Sequence, residues 1–318
     1  MMKSAYFQNP RGYRIQKTLK RAICFEGKGL HCGKPARLTL QPAGPNHGIL
    51  FERTDLEGCP RIFASSKAFI ATDMATTLGY GGNNQIRVAT VEHLLSALFA
   101  MGITNVAVSI EGEEVPILDG SAGPYVESIL EAGIQPQPFS HPVLRVLKPI
   151  RVHQDGAVCE LLPRNRLRLT TSIDFRHPSI GVQTFALDVT PQSFAQQIGK
   201  ARTFGFVQDV EKLRSKNLAQ GASLDNVLGF SENAVLNPEG MRFTDECVRH
   251  KLLDALGDLA LCGCWIEGEL VSFRGGHSIH LTLLQTLQHM RSHWELVPSE
   301  PLRSISVADT YQAAALEM

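Results

Sequence analysis

Thr90-Val91-Glu92-His93-Leu94-Leu95-Ser96-Ala97-Leu98-Phe99-Ala100-Met101-Gly102 decides how the chain reads, because a second stretch can be laid over it. Here Thr90 reads as a helix cap, 91–101 as the helix and Gly102 as its stop. Further on, Thr244 opens a helix whose first turn holds Asp245 and Glu246, acids favoured at the positive end of a helix dipole. That helix ends near Gly263. Within it, Arg249-His250-Lys251-Leu252-Leu253-Asp254-Ala255 matches the position of Glu92-His93-Leu94-Leu95-Ser96-Ala97-Leu98. The surroundings match too. Residues 36–40 alternate as a strand should, 42–47 are turn-rich, and a strand at 105–110 follows the first helix. The second half opens near Val143 with strands at 144–152 and 167–175, and a strand at 270–273 follows its helix. The same order twice suggests a duplication, and so an α+β chain of two similar domains. The expected boundary is the Pro-containing link Gln135-Pro136-Gln137-Pro138-Phe139.

Composition agrees with a folded two-domain chain. Of 318 residues, 43% are apolar and 19% charged, enough to bury substantial cores. Lys plus Arg equals Asp plus Glu at 31 each, so nothing draws the whole protein to nucleic acid or an acidic membrane. No apolar run is long enough to span a bilayer. The seven cysteines (Cys24, Cys32, Cys59, Cys159, Cys247, Cys262 and Cys264) include no CxxC pair, which points to reduced thiols and a cytoplasmic setting. Residues 1–14 are basic, with no acid before Glu26, and read as a loose leader with a faint transit-peptide character.

Three patterns could carry chemistry. His250, Asp254 and Asp258 are four residues apart, so they share one helix face at about 40° steps, opposite Leu252, Leu253, Leu256 and Leu259. Histidine and aspartate at that spacing can reach one metal ion. Glu92-His93 offers a second possible ligand beside a carboxylate able to accept a proton from water. Gly275-Gly276-His277 sets a histidine on a tight turn after a strand, where it could protonate a leaving group. Taken singly, each also reads as something plain: a solvated helix stripe, an exposed helix start, an exposed turn. His31 beside Cys32 reads as a turn histidine.

Together the motifs are specific. Thr90-Val91-Glu92-His93-Leu94, Leu118-Asp119-Gly120-Ser121-Ala122, Ala201-Arg202-Thr203-Phe204-Gly205, Val248 to Asp254 and Gly276-His277 occur in an order that resembles the UDP-3-O-acyl-N-acetylglucosamine deacetylase family of lipid A biosynthesis. Gly29-Leu30-His31 fits as well, and the resemblance spans about residues 16–294. It implies two β-α-α-β sandwich domains, 15–135 and 141–296, facing each other across the active-site cleft. It implies His93, His250 and Asp254 as ligands of a catalytic zinc, with Glu92 as general base. Thr203 would share the oxyanion with the metal. His277 would be the acid, its charged form stabilised by Asp258.

The same resemblance places Lys251 and Arg274 near substrate phosphate, Asp174 and Phe175 at the uracil, and Phe204 near the sugar. A β-α-β insertion at about 205–236 would form an acyl-chain tunnel lined by Val207, Val210, Ala219, Leu224 and Val227. The substrate would be the nucleotide-sugar itself, bound by a monomer with no nucleic-acid partner. Some members carry a cysteine where this chain has Thr77, which bears on the preferred metal. Fe(II) also suits two histidines and a carboxylate. A non-haem iron oxygenase with these ligands is therefore one rival reading, and an RNA-binding module on a similar fold is another.

Overall fold

The computed structural model describes residues 14–71, 74–80 and 83–299, so the expected leader lies outside the described residues except for Arg14. Among the described residues two large sheets, three smaller ones and six α-helices, mixed along the chain, make this an α+β protein. In the first half, strand Val106–Glu111 lies between Pro35–Pro42, antiparallel, and Ile49–Arg53, parallel. Ile23–Lys28 and Arg61–Phe63 form the edges of this five-stranded sheet. In the second half, the long strand Trp265–Phe273 is the hub of a seven-stranded sheet. It runs parallel to Val143–Val146 and Leu167–Phe175 and antiparallel to Ala157–Leu162.

The helices are α1 (Glu92–Met101), α2 (Gly123–Ala132), α3 (Pro191–Gln197), α4 (Val207–Ser215), α5 (Glu246–Ala260) and α6 (His277–His289). The parallels between the halves go beyond order. α1 and α5 are each followed by a strand parallel to an earlier strand of the same half, and then by a second helix, α2 or α6.

The helices that were expected to show a wet face do not. Every residue of α1 is buried, and in α5 only Arg249 and Lys251 are not. Leu94, Leu95, Leu98, Leu252, Leu253 and Leu256 are wholly enclosed, each worth about 1.5–3 kcal/mol of burial. The two helices pack against each other. Gly257 sets their closest approach, since a Cβ there would stand 2.2 Å from the Glu92 carbonyl oxygen. That crossing places the start of α1 against the middle of α5.

Several local expectations need correction. Thr90 does not cap α1: the cap position is Val91, and no side chain bonds to it. Thr90 instead has φ +57° and donates its hydroxyl to Glu114. Residues 144–152 are not one strand, because Leu147-Lys148-Pro149 separates Val143–Val146 from Ile150–Gln154. Pro149 has no N–H to offer a ladder. The strand after α5 begins at Trp265, not Leu270, because it crosses the middle of the sheet. The Pro-containing link is itself strand, within Ile134–His141, antiparallel to Arg14–Leu19. Its prolines are tolerated because this sheet has only two strands.

Candidate metal centre and catalytic site

The α1–α5 crossing gathers the polar residues that the sequence distributes over 160 positions. His93 from α1 and His250 and Asp254 from α5 are all buried. Among the described residues they are the group whose histidine, cysteine or carboxylate donor atoms lie close enough to hold a metal, within 4.8 Å of one another. Asp254 Oδ1 lies 3.2 Å from His250 Nε2 and 3.6 Å from His93 Nε2. Though buried, that oxygen makes no hydrogen bond. A buried carboxylate oxygen is costly to leave unpaired, so the donor set fits a cation. The tautomer of His250 agrees. Its Nδ1 is 3.0 Å from the Ala201 carbonyl, which can only accept, so Nδ1 donates and Nε2 keeps its lone pair for a ligand. Asp254 Oδ2 accepts from Lys251 Nζ at 2.8 Å. Burial alone would raise the Asp254 carboxyl, but His250 and Lys251 hold it well below its ordinary value.

Beside this group lies a second cluster of buried titratable side chains. Glu92, next to His93, is 2% exposed, so the reading of Glu92-His93 as an open helix start fails. Burial pushes its carboxyl above the usual range, against the pull of His277 and His93. Its Oε2 accepts from the Thr76 backbone N–H at 3.0 Å, while Oε1 points at His277 Nε2, 3.6 Å away. His277 starts α6 and is buried, so the exposed-turn reading fails as well. Its Nδ1 is 2.9 Å from Asp258 Oδ2 and must donate to it. Burial alone would lower the imidazolium, but Asp258 and then Glu92 raise it to about 9. Asp258 also accepts from the Thr76 hydroxyl at 2.6 Å and from His280 Nδ1 at 2.8 Å.

Flanking loops hold these groups in place. Arg202 is buried and pairs with the buried Glu246 at 2.9 Å, pinning the Ala201-Arg202-Thr203 segment to the first turn of α5. Glu246 therefore serves as a fixed anchor and not simply as a helix-end charge. The Thr203 N–H donates to Gly120, within Leu118-Asp119-Gly120. Gly120, at φ +85°, comes so near the Asn226 carbonyl that a Cβ would sit 2.1 Å from it. Glu114, also buried, accepts from the His31 and Cys32 N–H groups and from Thr90. It thus ties the Gly29-Leu30-His31 loop to the entry of α1. Thr90, Leu118 and Arg274 have φ of +57°, +54° and +53°. Such conformations are costly for side-chain-bearing residues, and all three adjoin site motifs.

Phe204 stands edge-on to Phe175 at 5.4 Å and lies 6.4 Å from the His250 ring, so aromatic rings lead from the metal group outward. Asp174 and Arg274 are exposed, and the Arg274 N–H bonds Ser172 at the same end of the sheet. A cavity of about 400 Å³ opens beside Phe175 and Phe206. The segment after Phe204 forms a β-α-β unit, with Phe204–Phe206 and Leu228–Phe230 parallel and α4 between them. α4 has no buried residue. Val207 is 54% exposed and Leu224 42%, Val210 and Val227 are half-buried, and Ala219 is buried.

Thr76 and Glu114 escaped the sequence reading, which found no pattern at His280 and read Glu246 only as a helix-end charge. Each acts through a partner far along the chain and leaves no periodic mark.

Residues 16–289 match the family described as UDP-3-O-acyl N-acetylglycosamine deacetylase. The UDP-3-O-acyl-N-acetylglucosamine deacetylase of Histophilus somni (strain 129Pt) is 42% identical, over 91% of this chain and 95% of its own. That of Myxococcus xanthus (strain DK1622) is 43% identical, over 89% and 90%. That of Actinobacillus succinogenes is 41% identical, over 95% and 99%.

Proposed function

The chain belongs to the UDP-3-O-acyl N-acetylglycosamine deacetylase family, and on that footing we propose that it hydrolyses the acetamide of UDP-3-O-acyl-N-acetylglucosamine. The products are acetate and UDP-3-O-acyl-glucosamine, a committed step toward lipid A. The observation that carries the reading is the unpaired, buried Asp254 Oδ1 beside two histidines, with an acid–base pair next to it. The ligands are His93, His250 and Asp254, and the ion is Zn²⁺, with Fe²⁺ able to occupy the same donors. When bound, such an ion polarises the amide carbonyl and makes a water molecule more acidic.

The protein's own residues supply the rest. Glu92 Oε1 takes the proton of the attacking water while Oε2 stays fixed by Thr76. Thr203 offers its hydroxyl to the oxyanion, its backbone held by Gly120 and Leu228. His277, charged and braced by Asp258, delivers a proton from Nε2 to the departing amine. Lys251 and Arg274 face phosphate oxygens, Asp174 and Phe175 hold the uracil, and Phe204 lies along the sugar. Val207, Val210, Ala219, Leu224 and Val227 take the acyl chain. Apolar side chains left open on this insertion support that assignment, since each buried methylene gains about 0.8 kcal/mol.

We read the two halves as facing domains, about 15–135 and 141–296, with the substrate between them. We take the protein to act as a monomer. Among the described residues no helix is long and apolar enough to cross a membrane. Because the cysteines are free thiols, we place the activity in the reducing cytoplasm. The test is acetate release from the purified protein with and without a zinc chelator. Release that the chelator stops and zinc restores is expected. No release from folded, metal-loaded protein would remove the nucleotide-sugar assignment.

A further inference from the structure

Cysteine plays no part in the reaction above, yet two of the seven cysteines are placed for chemistry. Cys262 and Cys264 bring their Sγ atoms to 3.3 Å. Gly263 between them has φ +73°, the left-handed turn that folds the two side chains onto one side. Both flanks are fixed. The Cys262 N–H bonds Leu259, the Gly263 N–H bonds Ala260, and the Trp265 N–H bonds Pro142. A disulfide needs about 2.05 Å between sulfurs, so closure requires a movement of roughly 1 Å.

The pair can also be reached. Cys262 is half-buried, and Cys264, 6% exposed, lines a groove of about 1330 Å³ on which Arg14, Lys17 and Trp265 also border. No carboxylate lines that groove among the described residues, so no neighbouring anion there opposes a thiolate. The hydrogen bond from Cys262 holds the Cys264 thiol below its ordinary range against burial, with a backbone bond from Leu144 adding to it. By contrast, burial pushes Cys159 and Cys247 up to about 12, which makes them inert.

We propose that Cys262 and Cys264 form a redox-active dithiol that hydrogen peroxide converts into an intramolecular disulfide and that a small-molecule dithiol reduces back to the two thiols. The Cys264 thiolate attacks one peroxide oxygen and the O–O bond breaks. Cys264 becomes a sulfenic acid, and the other oxygen leaves as hydroxide, which takes a proton from solvent to become water. Cys262 sulfur then attacks Cys264 sulfur, the S–O bond breaks, and a second water leaves with the Cys262 proton. The two thiols lose two electrons and the peroxide gains them. The bond would close the end of α5, the helix that carries His250, Asp254 and Asp258, where the Leu261 N–H already bonds the Asp258 carbonyl.

The test uses the whole protein, treated with hydrogen peroxide, denatured, alkylated without reductant and digested with trypsin. Both thiols fall in the peptide 252–274, which holds no other cysteine. Expected is that peptide two hydrogens lighter and carrying no alkyl group, with both alkylation sites regained after dithiothreitol, while Cys159 and Cys247 stay alkylated throughout. Cys262→Ser and Cys264→Ser should each abolish the lighter peptide. The first, at the half-buried position, keeps the test open if the second fails to fold. The proposal is overturned if both thiols of 252–274 stay alkylated at a peroxide dose that oxidises the exposed Cys24 or Cys59. It is equally overturned if Cys264 is oxidised to a sulfinic acid while Cys262 stays free, or if either pairs with another peptide.

Discussion

Asp258→Asn isolates the electrostatic core of the acid–base pair. In the native protein His277 holds its proton up to about 9, although burial by itself would release it well below that. The carboxylate 2.9 Å from Nδ1 is the chief reason, and Glu92 is the second. An opposite charge at such range raises an imidazole by roughly 1–3 pKa units. Asparagine keeps the shape and can still accept a hydrogen bond from Nδ1–H, but removes the charge. The group required in its protonated form then loses its proton earlier. The alkaline limb of kcat/KM should therefore move down from near 9 by about 1–3 pH units, and activity at pH 8 should fall by about twofold for the smallest shift and roughly ninetyfold for the largest. The assay is acetate release from pH 5 to 10, with bound metal measured in parallel. A variant that keeps its metal and shows an unmoved alkaline limb would refute the claim that Asp258 keeps His277 charged.

His277→Ala should retain metal while losing about 10²–10⁴ in kcat, because the proposed mechanism has it transfer a proton and ligate nothing; equal loss of metal by elemental analysis would end that assignment. His280→Asn should keep kcat within a few-fold, because an amide N–H can replace Nδ1–H on Asp258, whereas His280→Leu should lower kcat with little change in KM. If the two variants behave alike in kcat, His280 does not position Asp258. Gly257→Ala forces a methyl against the Glu92 carbonyl, so we expect a loss of about 1–3 kcal/mol in denaturant melts together with weaker metal binding. Unchanged metal affinity in a destabilised variant would show that the crossing does not set the ligand geometry. Ala219→Phe or Val227→Phe should shorten the acyl chain accepted, and an unaltered chain-length profile would count against the insertion as the acyl site.

The order of elements was legible in the chain because it follows from local pattern. The strand at Leu167–Phe175 and the stop of α1 at Gly102 stand where alternation and glycine put them. The four-residue spacing of His250, Asp254 and Asp258 likewise fixed their common helix face, since 3.6 residues per turn allows nothing else. What that face meets could not be read from it. A polar stripe signals water when the neighbours are unknown, and here the neighbour is another buried helix. Only the approach of α1 to α5 at Gly257 turns the stripe into a ligand set with His93. Thr90 shows the same limit from the other side: its residue type suits a cap, but a buried Glu114 twenty-four positions away competes for its hydroxyl and wins. Thr76 and His280 lie beyond any sequence rule, because what matters is the carboxylate of Asp258 that both reach across the fold. Local periodicity thus determined which residues share a face. The packing of two helices, set by one missing side chain, decided what those residues can do.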